Sequence, residues 1–238
     1  MEVRSRISII IWGLFFFFIG MASALSREVR GVVRIAPPYP APVKIPVKQK
    51  YQETCSREQV SQSLIISGEG YLKNVVVFLE GNVQNGREHN DAGIQAVMDQ
   101  KNCNFTPHVL IVKQNRPFLI ANSDPMAHDI RLFDSSRMLF RFEMDAFEKP
   151  VEKKLERPGI YVLRCGLHSW MHAFVVNVSH PYYAVTDEAG TFHFRDVPEG
   201  TYRMHIWHET LGETEVPLEV VESIHDFSYT FANPAQSA

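Results

Sequence analysis

The sequence has no basic run or stripe: 24 Lys and Arg stand against 27 Asp and Glu over 238 residues, a formal net charge of −3. Nucleic-acid binding rests on clustered cations, so that role has no electrostatic support. Signatures of catalysis are missing too. There is no nucleophile motif, no phosphate-cradling loop and no pair of carboxylates at a spacing suited to acid–base work, which makes an enzyme the least expected class. No repeat of fixed period and no low-complexity tract breaks the chain. Beyond the N-terminus, no segment is apolar enough to cross a bilayer. Cysteine is scarce, with three in the chain, and the 45% hydrophobic and 21% charged content is that of an ordinary globular protein.

The N-terminus stands apart. Arg4 and Arg6 precede an apolar run from Ile7 to Ile19 that holds four consecutive phenylalanines, and Ala22-Ser23-Ala24 follows. This is the pattern of a signal peptide over residues 1–24, which a signal peptidase removes. An uncleaved anchor is the alternative, though the run is short for a span. Cleavage leaves 22 basic and 26 acidic residues, a net charge of −4. The expected location is therefore periplasmic or secreted. In an oxidising compartment two of the three cysteines can pair. Cys165 sits among metal-ligand residue types, so Cys55 and Cys103 are the expected disulfide.

The rest reads as all-β. Arg30 to Ile35, Leu64 to Ile66, Asn74 to Leu79, Val109 to Val112, Phe118 to Ile120, His128 to Phe133, Ile160 to Arg164 and Phe174 to Val178 are strand candidates. They are rich in β-branched and aromatic residues and are bounded by turn formers, as in a sandwich. Proline-rich 37–46 suits an edge or a connection. Residues 82–101 read as a polar loop with a helical stretch around Ile94 to Met98, and Asp145 to Glu156 as a helical loop or a solvated hairpin. Past Pro181 short strands alternate with tight turns. The expected organisation is a domain over 25–180, with an N-terminal β-extension, and a β-unit over 181–238. Whether residues 27–100 complete the first sandwich or pair with the C-terminal unit stays open.

The stretch that carries chemistry is Cys165-Gly-Leu-His168-Ser-Trp-Met171. A thiolate, an imidazole and a thioether lie within one loop-sized segment, and this mix of soft and borderline donors suits copper. A blue-copper site needs a further histidine from elsewhere, and Asn122-Ser-Asp-Pro-Met-Ala-His128 offers one after a run of turn formers.

Residues from about 105 to 178 resemble a cupredoxin, the plastocyanin and azurin fold. The resemblance is carried by Phe105-Thr-Pro107, by Asn122-Ser-Asp124 with His128, and by Pro158-Gly-Ile-Tyr-Val-Leu-Arg-Cys165. It implies a Greek-key sandwich and a mononuclear copper site, with His128, Cys165 and His168 as equatorial ligands and Met171 as the weak axial one. The methionine departs from the pattern, since plastocyanin-like loops place it farther from the histidine. The His-to-Met spacing resembles that of the dinuclear copper centre of cytochrome oxidase, but residues 166–170 lack the second cysteine such a centre needs. The C-terminal unit resembles the small prealbumin-like regulatory domain of carboxypeptidases. The whole chain is similar to exported bacterial proteins that join the two, often labelled methylamine-utilisation proteins.

Other residues have plainer readings. His108 and Asn122 are candidates for groups supporting the ligands, with His108 also readable as a strand-edge histidine bonded to backbone. His172 reads as a solvent-facing partner contact rather than a ligand. His205 and His208 fall on opposite faces of a regular strand, so no second metal site is expected there. Met126, Met138 and Met144 are too irregularly spaced for a methionine-rich trafficking surface. The sequons at Asn104 and Asn177 are short patterns that arise by chance. The resulting expectation is an electron carrier serving a periplasmic redox protein such as a cytochrome or dehydrogenase. A non-catalytic binding or scaffold protein, and copper storage or delivery, remain as alternatives.

Overall fold

The structure, a computed structural model, describes residues 27–81, 83 and 95–234. The expected signal peptide lies outside the described residues. Among these residues, the chain forms β1 (Glu28–Ile35), β2 (Lys44–Pro46), a 3-10 turn (Gln49–Tyr51) leading into α1 (Gln52–Cys55), β3 (Glu58–Val60), β4 (Ile66–Ser67), β5 (Tyr71–Leu72) and β6 (Val76–Gly81). The middle of the chain supplies β7 (Val97–Lys101), β8 (Asn104–Thr106), β9 (Val109–Lys113), β10 (Pro117–Asn122), β11 (His128–Asp134), β12 (Arg137–Met144), β13 (Val151–Lys154), β14 (Gly159–Cys165) and β15 (His172–Val178). The last part supplies β16 (Tyr183–Val185), β17 (Thr191–Phe194), β18 (Gly200–His208), β19 (Gly212–Val220) and β20 (Ile224–Phe231). The fold is all-β.

Four sheets stack in layers. The first runs β13-β10-β7-β8, the second β12-β11-β14-β15-β9, the third β16-β6-β18-β19, and the fourth β17-β1-β5-β4 with β20 also on β1. Met98, Phe105, Phe118 and Ile120 of the first layer meet Ile130, Leu132, Leu163 and Val175 of the second. Val109, Phe174, Val176 and Val178 of the second meet Val76 of the third, with Phe78 and Trp207 beside them. Val77, Leu79, Met204 and Ile206 then meet Val29, Val33, Phe192 and Phe194 of the fourth.

Side chains alternate across a strand, so β15 points Ala173 and Val175 into one interface and Phe174, Val176 and Val178 into the next. Being covered on both faces is why Ala173 to Val176 read as a continuous apolar run rather than an alternating one. Each such side chain, taken from water, contributes about 1.5–3 kcal/mol before entropy is counted.

One expectation needs revision. Val97–Lys101 is a strand and not a helical stretch, pairing in parallel with β10 and antiparallel with β8. Met98 and Gln100 point inward, and the Gln100 amide is satisfied by the Ala121 carbonyl at 2.9 Å. A buried glutamine with a backbone partner costs little, and its polarity masked the strand. The open question over residues 27–100 is resolved by pairing. β1 lies against β17, β5 and β20, and β6 lies between β16 and β18, so these strands join the C-terminal ones. Strands on either side of β7–β15 thus share sheets, while β7–β15 pair among themselves.

The segment between β1 and β4 does not join these layers by strand pairing. β2 and β3 form a separate two-stranded ribbon with Pro46 at its edge, where proline's missing donor is harmless. Between them, α1 is tied to the first sandwich by a Cys55–Cys103 disulfide with an S–S distance of 2.01 Å.

Candidate metal centre

The site is assembled at one end of the second layer. β11 and β14 are antiparallel neighbours with Ile130 opposite Cys165, which brings His128, at the start of one strand, beside Cys165, at the end of the other. The loop 166–171 then turns back into β15. It is closed by backbone bonds from Cys165 N–H to the Met171 carbonyl (3.1 Å) and from Met171 N–H to the His168 carbonyl (3.0 Å). Gly166 N–H donates to the Asp129 carbonyl at 2.8 Å, tying the loop to the neighbouring strand. A Cβ there would overlap the Asp129 carboxylate and the Arg131 guanidinium, so any other residue must displace that pair.

Within this frame Cys165 Sγ lies 3.7 Å from His128 Nδ1 and 3.5 Å from His168 Nδ1, and the two Nδ1 atoms lie 3.1 Å apart. The point equidistant from three atoms so spaced lies about 2.0 Å from each, close to the bond length between a first-row metal ion and imidazole nitrogen. Cys165 is the free cysteine, and it and both histidines are buried. Three donors of metal-ligand type, two of them imidazole nitrogens, converge on that point. The residues present therefore fit a metal ion.

The tautomer of His128 is set by its other nitrogen. Nε2–H donates to Asp124 Oδ2 at 3.0 Å, which leaves the Nδ1 lone pair facing the cluster. The same carboxylate oxygen accepts the Cys103 N–H at 2.9 Å. Burial opposes protonation of His128, but Asp124 and Cys165 outweigh it and its pKa is raised. Burial likewise pushes the Cys165 thiol up, yet its contacts with the His128 and His168 rings and with the backbone N–H groups of Leu167 and Asp129 bring it down to about 6. A thiol so lowered supplies the thiolate that a metal requires.

Asp129 carries the adjoining charge. Its buried carboxylate accepts from Arg131 and, at 2.8 Å, from Arg141. Burial alone would raise its pKa, but the two guanidinium groups hold it below the usual carboxylate range.

Of the residues expected at the site, His128, Cys165 and His168 come together. Met171 is 2% exposed and lies in the same core, at the closing end of the ligand loop. Asn122 acts on the turn rather than on the sulfur: its amide donates to the Met126 and Asp145 carbonyls (2.9 and 2.8 Å), and its Oδ1 accepts from Asp124 N–H. His108 goes elsewhere, to Glu209. The exposed ligand edge expected of an electron carrier is absent. His168 is fully buried, capped by the edge of Tyr51 at 4.5 Å between centroids and flanked by Trp170 at 5.1 Å.

The sequence reading missed Asp124 and Tyr51. An aspartate four residues before a candidate ligand, inside an Asx turn, was the available signal for the first. For the second there was none.

No family model matches the chain, and no curated protein matches it. Solved structures do. A copper-containing nitrite reductase from Thermus scotoductus SA-01 is 18% identical over 36% of this chain, with a TM-score of 0.32, and the match spans 23% of that enzyme's length. A purple cupredoxin from Nitrosopumilus maritimus is 20% identical over 35% of this chain and 98% of its own, with a TM-score of 0.31. Amicyanin from Paracoccus versutus is 12% identical over 42% of this chain and 97% of its own, with a TM-score of 0.33.

Proposed function

We propose that this is an exported electron carrier in which one copper ion is held by His128, Cys165 and His168, with Met171 as a weaker fourth donor. The observation that carries the reading is the buried triangle of one thiolate and two imidazole nitrogens, 3.1–3.7 Å on a side. Copper bound there would supply one-electron chemistry by passing between its cuprous and cupric states.

The chain's own part is to hold the donors still. Asp124 keeps His128 in the ligating tautomer. The N–H groups of Leu167 and Asp129 lie against the Cys165 sulfur and lower its electron density, the kind of contact that tunes a potential. Burial of all three ligands keeps water off the site. Because Tyr51 covers His168, the contact face for a redox partner is the surface formed by Tyr51 and by Leu167, which is 43% exposed on the ligand loop. A periplasmic cytochrome or dehydrogenase is the class of partner that fits.

The second sandwich, made of the third and fourth layers, is read as the prealbumin-like unit. Its role is support, closing over the outer face of β15. Export accords with the disulfide, and among the described residues no helix is long and apolar enough to cross a membrane.

The test is a visible and paramagnetic-resonance spectrum of residues 25–238 titrated with cupric ion. An intense thiolate charge-transfer band at one copper per chain, lost in Cys165→Ser, supports the reading. A colourless protein with no stoichiometric copper uptake overturns it and leaves a non-catalytic binding module.

A further inference from the structure

A second cluster of ligand-type side chains lies where the second and third layers meet. His108 precedes β9, His172 opens β15 and Glu209 follows β18. One donor atom from each lies within 4.8 Å of the others. Glu209 bridges the two rings: one carboxylate oxygen contacts His108 Nε2 and the other lies 2.8 Å from His172 Nε2. The imidazoles stand edge to face at 5.1 Å, and both abut Phe174, which itself packs on Trp207.

The hydrogen-bond pattern calls for a positive centre beside Glu209. His172 Nδ1 faces the Trp170 carbonyl at 3.3 Å, and a carbonyl can only accept, so the ring proton belongs on Nδ1. That leaves the Nε2 lone pair aimed at a carboxylate oxygen 2.8 Å away. Two lone pairs at that distance repel unless a positive centre lies between or beside them. A proton does this if His172 is held as imidazolium. A metal ion does it with the neutral ring, and backbone carbonyls that fix a histidine tautomer in this way are a usual support of metal ligands. His108 is the most buried of the three, and the ring nitrogen it turns to Glu209 is Nε2. The serine hydroxyl of Ser63 lies 3.2 Å from His172 Nε2 and offers a further oxygen.

We propose that His108, His172 and Glu209 form a second metal site, separate from the thiolate centre, for a divalent ion of the zinc or cupric class. Two imidazoles and one carboxylate are a donor set for such ions, and three protein donors leave a position open for water or an exogenous ligand. Because two ligands come from the second layer and one from the third, a bound ion cross-links them. The two sites share a chain segment: His172 follows Met171, whose carbonyl accepts the Cys165 N–H. This inference does not depend on copper occupying the first centre.

Zinc titration of the full chain tests it with the first site disabled. Chelator-treated Cys165→Ser is expected to bind zinc at this site with one equivalent and to gain thermal stability as zinc is added. Adding Glu209→Gln is expected to weaken that binding at least about 100-fold and to abolish the thermal gain, whereas loss of an outer supporting group alone costs about 10–100-fold. His172→Gln in the same background, at a half-buried position, reads the same quantity should the Glu209 variant not fold. Absence of zinc uptake by Cys165→Ser overturns the proposal and leaves a proton between the groups. Zinc uptake that is unchanged by either substitution overturns it as well, since the ion then sits on His128 and His168.

Discussion

Asp124→Asn is the most informative single change at the thiolate centre. The carboxylate is 3% exposed and receives two N–H groups, from His128 Nε2 at 3.0 Å and from Cys103 at 2.9 Å. Both N–H groups meet the same oxygen, Oδ2, so an asparagine of the same shape has two choices. With its carbonyl oxygen there it keeps both contacts but loses the charge that strengthens the His128 bond. With its amide nitrogen there it donates where the ring must donate, the ring shifts its proton to Nδ1, and the lone pair facing the cluster is lost. A hydrogen bond to a charged acceptor contributes about 1.5–3 kcal/mol, and 1.4 kcal/mol is tenfold in affinity. Copper affinity should therefore fall about 10- to 150-fold, in line with the loss expected for groups that orient metal ligands. The assay is competition against a chelator of known affinity, with the charge-transfer band as readout. Affinity within threefold of the parent would refute the idea that Asp124 sets the tautomer of His128.

Other consequences can be measured independently. Gly166→Ala places a methyl group on the Asp129–Arg131 pair and should destabilise the protein by about 1–3 kcal/mol in urea unfolding, because the half-exposed Arg131 can swing away but the buried Asp129 carboxylate then loses a partner. Replacing both Cys55 and Cys103 by alanine opens a loop of sequence separation 48 and should cost about 4 kcal/mol by the chain-entropy relation. The same variant should release copper to chelators faster, since Tyr51 loses its tether over His168, and unchanged release kinetics would argue against that covering role. His208 is 1% exposed, and burial lowers its pKa from 6.5 to about 4, its Nδ1 accepting the Thr210 N–H. Its folded value lies below its unfolded one, so its stabilising effect is complete above pH 6.5 and is lost as the pH falls toward 4. Metal-free protein should lose on the order of 3 kcal/mol from this group between those limits. His208→Asn should flatten the urea-midpoint profile in that window, and a profile of unchanged slope would show that the residue plays no such part.

The thiolate centre was legible because its chemistry is local. Cys165, His168 and Met171 sit in one loop, and His128 follows a run of turn formers that announces itself. Strand candidates such as His128 to Phe133 and Phe174 to Val178 were visible for the same reason: β-branched and aromatic runs bounded by turn residues need no knowledge of partners. What escaped notice depended on distant pairing. Glu209 meets His108 across 101 residues, and its neighbour His172 reads as a surface residue until Glu209 is beside it. Tyr51 reaches His168 only because the disulfide and the Trp170 indole, which donates to the Cys103 carbonyl at 2.9 Å, gather α1 and the ligand loop around the same hairpin. β7 was hidden by its buried glutamine. The pairing of β1 with β17 and β20 has no local signature at all.

That last pairing bears on the order in which the molecule can be made. β1 runs in parallel beside β20 along all eight of its residues, from Glu28 opposite Ile224 to Ile35 opposite Phe231. β1 is synthesised well before β20, and thus waits for it before its edge is closed. Meanwhile β7 to β15, contiguous in sequence, have all their sheet partners within reach and can close early as a unit. The sandwich that holds the Cys165 cluster is in this sense a finished insert held between the two halves of an unfinished one. Until the C-terminus arrives, the unpaired edge of β1 and the outer apolar face of β15 are the surfaces at risk of sticking to other chains.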